Sequence, residues 1–323
     1  MSTYLVTGAA GFIGSHLSVE LQRQGDDVRG VDAFTDYYAR RLKDENLSWA
    51  QGLGRLEFIQ DDLARADPEL LLDGIDGVFH LAAQPGVRGS WGREFEIYIR
   101  DNLLATQRIF AAAAARAIRV VYASSSSIYG DAECYPTPED VPPKPISPYG
   151  ITKLGCEHLA RAFARAMGLD AIGLRYFTVF GARQRPDMAF TRLARAAVSG
   201  ATFDLLGDGD QSRDFTYVGD AVAATIAAME RGHNGVNYNV GGGAETTLNR
   251  IIELIEELSG RTIAIRRCPR APGDVRRTAS DTACIRHDLG WVPRTAIRDG
   301  LEDQLDWIRL REERSPTPTP VYV

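Results

Sequence analysis

Two side chains in one short stretch have the types and the spacing needed for proton transfer. In the segment Ser-Pro-Tyr-Gly-Ile-Thr-Lys, Tyr149 and Lys153 are four residues apart, so on a helix they share one face. Ser147 and Pro148, just before them, are typical of a helix start. A phenol is a poor base near neutral pH, but an adjacent ammonium group favours the phenolate. The pair is a common pattern by itself, and its meaning depends on the elements around it.

The N-terminal residues have the pattern of a dinucleotide-binding turn. A short apolar strand over residues 4–6 leads into Gly8, Gly11 and Gly14, and an amphipathic helix follows. Glycine lets the backbone turn tightly and approach a pyrophosphate, which then lies over the helix N-terminus. A second predicted strand ends in Asp32, whose carboxylate suits ribose hydroxyls and repels a 2′-phosphate. The pattern therefore predicts NAD in preference to NADP.

Strands and helices alternate along the chain up to Tyr176. The polar or small residues 61–62, 81–83 and 124–127 each follow a predicted strand, and open α/β sheets bind ligands at the carboxyl ends of their strands. Asp61 and Asp62 suit either the adenine amine or the cap of a following helix, and both interpretations stay open. His80, inside a strand, is expected to be a packed core histidine. The predicted fold class is α/β, a doubly wound parallel sheet of the Rossmann type with a smaller, interrupted α/β substrate lobe on its C-terminal side.

The regular alternation weakens after residue 176, which suggests a second region. A helix is predicted over about 91–116, a loop over 178–187 and a hairpin-like turn at 207–209. The predicted domains are a cofactor domain over 1–176 with a returning segment at about 214–241, a substrate lobe over 177–213 and 242–312, and a disordered, proline-rich tail over 313–323.

Composition excludes several classes of function. The net charge of -6 gives no basic footprint for nucleic acid. No apolar run approaches the roughly 20 residues that span a bilayer, and the chain enters its first strand without a signal-like segment. The four cysteines lack metal-ligand spacing and suit a reducing compartment. We therefore expect a cytoplasmic protein with no metal site.

The glycine turn, Ser125, Tyr149 and Lys153 together resemble the extended short-chain dehydrogenase/reductases, and the resemblance extends from about residue 4 to 307. Within them the chain is similar to the nucleotide-sugar 4-epimerases, especially the UDP-glucuronate and UDP-glucose groups. The strings that carry this likeness are Ser-Ser-Ser-Ser-Ile-Tyr-Gly at 124–130, Arg-Tyr-Phe-Thr-Val-Phe-Gly at 175–181, Arg-Pro-Asp-Met-Ala at 185–189 and Arg-Asp-Phe-Thr-Tyr-Val at 213–218.

The resemblance implies a mechanism and a set of roles. Tyr149 would act as the base, Lys153 would bind the nicotinamide ribose and lower the pKa of the phenol, and Ser125 would bond the 4-oxygen of the sugar. Tightly bound NAD would take a hydride from C4 and return it to the opposite face of the 4-keto sugar. The resemblance also implies a homodimer through the helices near 91–116 and 148–167.

Two sets of binding residues follow from these patterns and from the resemblance. The expected cofactor contacts are Gly8, Gly11, Phe12, Ile13, Gly14, Asp32, Asp61, Asp62, Leu81, Ala82, Ala83, Asn102, Tyr149, Lys153 and Tyr176. The expected contacts to the UDP-sugar are Arg88, Ser125, Ser126, Ser127, Tyr149, Phe177, Thr178, Arg185, Met188, Arg192, Arg213, Arg270 and Asp274. Arg213 and Arg270 suit the diphosphate, and Asp274 the uridine ribose.

The serine run separates epimerisation from related chemistry. Similar 4,6-dehydratases and decarboxylases place a carboxylate at the position of Ser126 or Ser127, and this chain has hydroxyls there. That difference favours epimerisation. A chain that has lost catalysis and serves as an NAD-binding scaffold or sensor, and a net oxidoreductase, are the alternatives from other classes.

The identity of the sugar depends on the arginines. A buried C6 carboxylate needs cationic partners, and Arg88, Arg185 and Arg192 are the candidates, although Asp187 could compensate one of them. Thr178 and Thr278 stand where glucose-type enzymes have other side chains. We expect UDP-glucuronate first, then UDP-glucose and UDP-galactose, with dual use possible, and then UDP-N-acetylglucosamine.

Overall fold

The computed structural model describes residues 1–270 and 273–314, the last of these by its backbone alone. In this part of the chain the strands are β1 (Thr3–Thr7), β2 (Asp27–Asp32), β3 (Leu56–Gln60), β4 (Gly77–His80), β5 (Arg119–Ser125), β6 (Ala171–Tyr176), β7 (Thr178–Phe180), β8 (Phe203–Leu206), β9 (Ser212–Tyr217), β10 (Asn237–Val240), β11 (Glu245–Thr247) and β12 (Ile265–Cys268).

The α-helices of the same residues are α1 (Phe12–Arg23), α2 (Arg40–Gln51), α3 (Pro68–Leu71), α4 (Phe95–Tyr98), α5 (Ala105–Ala115), α6 (Pro148–Met167), α7 (Ala189–Ser199), α8 (Val218–Arg231), α9 (Leu248–Ser259), α10 (Ala283–Leu289) and α11 (Ile297–Arg314). Short 3-10 turns occur at Arg88–Ser90, Gly92–Glu94 and Ser126–Ile128, and a π-helical segment spans Ile99–Leu104.

Seven parallel strands form the main sheet, in the order β10-β6-β5-β4-β1-β2-β3. Apolar runs such as Leu5-Val6 and Val78-Phe79 are fully buried, as expected for a parallel sheet that is covered on both faces. Helices α1 and α8 pack on one face, and α5 and α6 pack on the other. The strand order reverses direction at β1, so the loops after β1 and β4 diverge and leave a crevice at the carboxyl edge. The predicted fold class is confirmed.

The smaller region contains two short sheets. One has the order β11-β9-β7, and the other pairs β12 with β8. Helices α7, α9 and α11 pack around a core that includes Leu193, Ile251 and Leu301. The loop predicted over 178–187 is therefore partly wrong, because Thr178–Phe180 pairs with β9 as a strand. The hairpin-like turn predicted at 207–209 does not join paired strands, because β8 pairs in parallel with β12 instead.

The helix predicted over 91–116 is helical but not regular. Its π-helical segment contains Asn102, whose carbonyl accepts a hydrogen bond from Cys156 Sγ at 3.4 Å. The Asn102 side chain also bonds Gln84 and Thr152. These contacts to other elements replace the regular helical pattern, and π segments of this kind often lie beside functional sites.

The C-terminal boundary and the assembly stay partly predictions. Helix α11 continues to Arg314, so residues 313 and 314 of the predicted tail are helical, and residues 315–323 lie outside the described residues. In the described chain no helix combines the length and the hydropathy needed to cross a bilayer. Leu104 and Ile151, in the helices predicted to form a dimer, are 44% and 55% exposed. The homodimer itself remains a prediction.

A buried ion pair connects α6 to the sheet. Glu157 of α6 accepts from Arg175 Nε at 2.9 Å and from Arg175 Nη2 at 2.8 Å, and both side chains are almost fully buried. Glu157 also accepts from Ser124 Oγ at 2.5 Å and from Asn237 Nδ2 at 3.2 Å. The carboxylate thus connects α6 with β5, β6 and β10.

Replacing Glu157 by alanine should destabilise the protein by about 3–5 kcal/mol, because Arg175 would keep a buried charge without its partner. Urea unfolding, followed by circular dichroism, measures this loss. The matched control is Glu69→Ala, which breaks the exposed Arg116–Glu69 pair at 2.7 Å and should cost less than about 1 kcal/mol. Equal losses in the two variants would contradict the role assigned to the buried pair.

Candidate active site

Helix α6 presents Tyr149 and Lys153 in its first two turns. It begins as predicted, because Ser147 Oγ accepts a hydrogen bond from Gly150 N at 3.1 Å and Pro148 occupies the first helical position. A Cβ on Gly150 would lie 2.6 Å from the carbonyl oxygen of Ser127. The absence of a side chain at Gly150 therefore lets the helix start lie directly against the serine turn.

Lys153 is fixed to the end of β5. The lysine is 5% exposed, and its Nζ donates to the carbonyl oxygen of Ala123 at 2.9 Å. Tyr149, one turn earlier and half-buried, packs edge-on against the ring of Tyr98, with the ring centroids 6.3 Å apart. The interior lysine leaves two of its three N–H groups for other partners.

The serine run turns sharply at the carboxyl end of β5. Ser125 Oγ accepts a hydrogen bond from Ser127 N at 3.1 Å, and this bond starts the 3-10 turn Ser126–Ile128. Because Oγ acts as an acceptor there, the hydroxyl proton of Ser125 is free to donate. Ser124 differs, because its hydroxyl donates into the interior, to Glu157. The four serines therefore divide into one structural residue and three at the site.

A cleft opens beside this turn. Five residues predicted to contact substrate line it, together with Thr278 and several small or apolar side chains. Its described lining residues are Val87, Ser126, Ser127, Ile146, Ser147, Thr178, Arg213, Gly273, Asp274, Val275 and Thr278. Asp274 is the one carboxylate in this described lining, so hydroxyl groups dominate the wall next to β5.

Arg213 and Asp274 form an ion pair in the lining of the cleft. Arg213 Nη2 donates to Asp274 Oδ1 at 2.6 Å and to the Val275 carbonyl oxygen at 2.6 Å. Arg270, which is exposed, donates to the carbonyl oxygen of Asp274. The structure thus brings together the three residues predicted to bind the nucleotide.

Arg185 already has a carboxylate partner. Its guanidinium donates to both oxygens of Asp187 at 3.0 Å. Burial disfavours the charged form, but Asp187 outweighs it and raises the pKa of Arg185. The charge of Arg185 is therefore neutralised by Asp187, the residue that the sequence analysis named as a possible compensating carboxylate. Met188 lies close by, half-buried, and donates its N–H to the Arg185 carbonyl oxygen.

Arg88 and Arg192 differ from Arg185 in having no carboxylate partner among the described residues. Neither forms an ion pair with a carboxylate within residues 1–270 and 273–313. The Arg192 guanidinium lies 5.3 Å from the centroid of the Phe203 ring. Burial, and then the positive charge of Arg88, lower the pKa of Arg192. The carboxylates of Asp204 and Asp187 act in the opposite direction and offset part of this lowering. Arg192 is half-buried and Arg88 is exposed.

The glycine turn fits a dinucleotide. Gly8 has φ of +71°, and a Cβ on Gly14 would lie 2.1 Å from the Gly8 carbonyl oxygen. Gly11 is the N-cap residue of helix α1 and provides no side-chain cap, and the first turn of the helix contains no acidic residue. Its N–H groups are therefore available to a diphosphate. Phe12 is buried and Ile13 half-buried behind the turn.

The ends of the neighbouring strands complete this crevice. Asp32 Oδ1 accepts from Phe34 N at 2.8 Å and lies 3.7 Å from Nζ of the buried Lys43. Asp62 caps the following turn by accepting from Ala64 N at 3.0 Å, and Asp61 accepts from Asp62 N at 2.8 Å. The capping interpretation is therefore the one that the contacts of Asp62 support.

The segment after β4 lies directly over the first glycine of the turn. The backbone N–H groups of Leu81 and Ala82 donate to Thr7 Oγ1 at 3.1 and 3.0 Å. A Cβ on Gly8 would lie 3.0 Å from Ala82 N, and Ala83 is half-buried next in the chain.

Three side chains that were predicted to contact the cofactor or the substrate have their partners in the interior. Asn102 is fully buried, and its amide donates to Thr152 Oγ1 at 2.9 Å. The Tyr176 hydroxyl bonds Thr225 of α8 at 2.7 Å, beneath the sheet. Phe177 packs on Tyr129 in a separate buried cluster. These side chains support the site from the interior, and the structure does not bring them to the crevice.

Sequence reasoning also missed residues. Glu157 lies four positions after Lys153, a spacing that could have indicated a partner on the same helix face. Tyr37 and Lys43 carried no local signal, because their contacts depend on tertiary structure. His80 is the buried core histidine that was predicted. It bonds Thr7 and Thr106, and burial lowers its pKa to about 3.

Comparisons with known proteins agree with this arrangement. Residues 4–241 match the model of the NAD dependent epimerase/dehydratase family. The chain is 39% identical to an uncharacterized UDP-glucose epimerase, YtcB, of Bacillus subtilis, over 94% of this chain and 97% of that protein. It is 34% identical to a UDP-glucuronate 4-epimerase of Thermodesulfobacterium geofontis, over 95% and 96% of the two chains.

A solved structure gives the same result. The UDP-glucuronic acid 4-epimerase from Bacillus cereus, crystallised in complex with UDP-glucuronic acid and NAD, is 38% identical and has a TM-score of 0.93, with 96% of this chain and 99% of that chain covered. This chain therefore belongs to the NAD-dependent epimerase/dehydratase family and, within it, to the NAD-dependent nucleotide-sugar epimerases.

Proposed function

We propose that this chain is a UDP-sugar 4-epimerase that acts on UDP-glucuronate and inverts the configuration at C4. The observation that carries the proposal is the cleft wall formed by Ser126, Ser127 and Thr178. These hydroxyls can bond a sugar that binds in either orientation. An elimination reaction would need an acid or base on that wall, and the aliphatic hydroxyls of serine and threonine supply neither.

The chain's own residues suit proton transfer at the 4-oxygen. When bound, NAD⁺ supplies the acceptor, and afterwards the donor, of the hydride at C4. Tyr149 takes the proton of the 4-hydroxyl and returns it, and Ser125 donates its free hydroxyl proton to the same oxygen. Lys153 Nζ donates to the Ala123 carbonyl oxygen at 2.9 Å, and its remaining N–H groups would bind the cofactor ribose and favour the phenolate of Tyr149.

The nucleotide end must stay bound while the hexose turns over. Arg213 and Arg270 suit the diphosphate, and Asp274 suits the uridine ribose. Their mutual contacts would form an anchor for the nucleotide. Such an anchor retains the sugar through the reaction without fixing the orientation of its ring.

A negative charge on the sugar fits the cations that have no partner. Within the described residues neither Arg88 nor Arg192 forms an ion pair with a carboxylate, and the positive charge of Arg88 disfavours the charge of Arg192. A C6 carboxylate at this position would relieve their repulsion and form charge-assisted hydrogen bonds. Arg185 is a weaker candidate, because Asp187 already neutralises it.

UDP-glucose is the second candidate. The Arg185–Asp187 pair leaves that part of the site without net charge, and a neutral hydroxymethyl group can occupy it. UDP-N-acetylglucosamine is third, and the small side chain of Thr278 in the cleft lining leaves room for it.

A direct substrate test is to incubate the purified protein separately with the three UDP-sugars and to identify the products by NMR. We expect UDP-glucuronate to be converted to its C4 epimer fastest, without net formation of NADH at 340 nm. Faster conversion of UDP-glucose would reject the first candidate. Stoichiometric NADH would indicate an oxidoreductase, and no product from any of the three would favour a non-catalytic scaffold.

Replacing Tyr149 by phenylalanine should lower kcat by at least about 100-fold, because the proton acceptor is lost. UDP-sugar binding, measured by calorimetry, should change less than about threefold. Tyr217→Phe is the matched control, because its hydroxyl bonds Asp303 at the protein surface. A Tyr149→Phe variant as active as this control would reject the assigned mechanism.

Replacing Arg192 by alanine should lower kcat/KM about 10- to 100-fold for UDP-glucuronate and only a few-fold for UDP-glucose, because a charge-assisted contact is lost only for the uronate. The control is Arg195→Ala on the same helix, whose Nε lies 3.4 Å from Glu312. Equal losses for the two sugars would make Arg192 a structural residue.

A further inference from the structure

Tyr37 follows β2 in the chain but contacts two segments on the other side of the crevice. Its hydroxyl donates to Asp187 Oδ2 at 3.2 Å, and its ring lies 5.7 Å from the Arg185 guanidinium. A Cβ on Gly86 would lie 2.4 Å from the Tyr37 hydroxyl oxygen. Gly86 has φ of +96°, so glycine satisfies both the backbone conformation and the space that Tyr37 needs.

The strand order shows what this contact crosses. Strand β1 lies between β2 and β4 in the sheet. Tyr37 follows β2 and Gly86 follows β4, so the two can meet only above the carboxyl end of β1. The glycine turn 8–14 follows that end, and the crevice at such a reversal of strand order receives the diphosphate of a dinucleotide. The contact therefore passes over the position of the cofactor.

The two segments that Tyr37 contacts are themselves held in place by hydrogen bonds. Tyr98, fully buried, directs its hydroxyl to the carbonyl oxygens of Pro85 and Gly86 at 3.0 and 2.9 Å. Asp187 is held by both nitrogen contacts from Arg185. Burial, and then the negative charge of Asp187, raise the pKa of Tyr37, so its hydroxyl remains a donor at neutral pH.

We propose that Tyr37, through its hydrogen bond to Asp187, closes residues 33–39 over the bound NAD and slows its release. This role rests on the NAD dependence of the family and not on the identity of the sugar. A cofactor that takes a hydride from the sugar must return it to the same sugar, so it has to stay bound through the whole catalytic cycle. Because a single hydrogen bond joins residues 33–39 to Asp187, this segment can still open when NAD first binds.

The test compares two neighbouring tyrosines. Tyr37→Phe removes the bonded hydroxyl, and Tyr38→Phe removes a hydroxyl for which the described residues provide no hydrogen-bond partner. Each protein is purified with its NAD, no sugar nucleotide is added, and release is followed by chromatography after addition of excess NAD glycohydrolase. We expect about tenfold faster release from Tyr37→Phe, because a hydrogen bond to a carboxylate is lost, and an unchanged rate from Tyr38→Phe.

Equal release rates from the wild type and Tyr37→Phe would overturn the proposal. A second comparison uses Asp187→Ala, alone and combined with Tyr37→Phe, with folding checked by circular dichroism. If Asp187 is the point of attachment, the Tyr37 substitution adds nothing in the Asp187→Ala background. Full additivity of the two effects would reject the bond as the closure. Because sugar is absent throughout, the outcome does not depend on the proposed substrate.

Discussion

The buried Glu157–Arg175 pair is the interaction on which the site depends most. Removing two charges from water is costly, and their attraction offsets that cost only when the remaining polar atoms are also bonded. Here Ser124 and Asn237 donate further hydrogen bonds to the Glu157 carboxylate. The Arg175 guanidinium donates to the Tyr129 hydroxyl and to the Glu139 carbonyl oxygen. Helix α6 is therefore fixed to three adjacent strands directly beneath the residues that it presents to the crevice.

Charge is distributed differently in the interior and at the cleft. Glu157 and Arg175 are paired with each other in the interior, and Arg185 is paired with Asp187. The Arg213–Asp274 pair lies at the cleft, where phosphate can compete for the guanidinium. This gradation, from closed pairs to Arg88 and Arg192, separates the cations that hold the fold from those available to an anionic ligand.

Local signals predicted a large part of the fold. Helix α6 agrees with the helix predicted near 148–167. Ser147 and Pro148 mark its start, and Gly168, with φ of +72°, follows its last residue. Buried strands were recognisable as short apolar runs. The pairing of β8 with β12 had no such signal, because it joins segments far apart in sequence. For the same reason the sequence did not predict that the Tyr176 hydroxyl bonds Thr225 in the interior or that the Tyr37 hydroxyl bonds Asp187.

The contact between Gly150 and the Ser127 carbonyl oxygen has a consequence for how such enzymes diversify. It is a contact of main chain against main chain, so the separation of helix and turn does not depend on the side chains at 126, 127 or 178. Substitutions at these three positions can reshape the sugar pocket while the acid–base machinery keeps its spacing. New substrate preferences can therefore evolve on this scaffold without a new catalytic geometry.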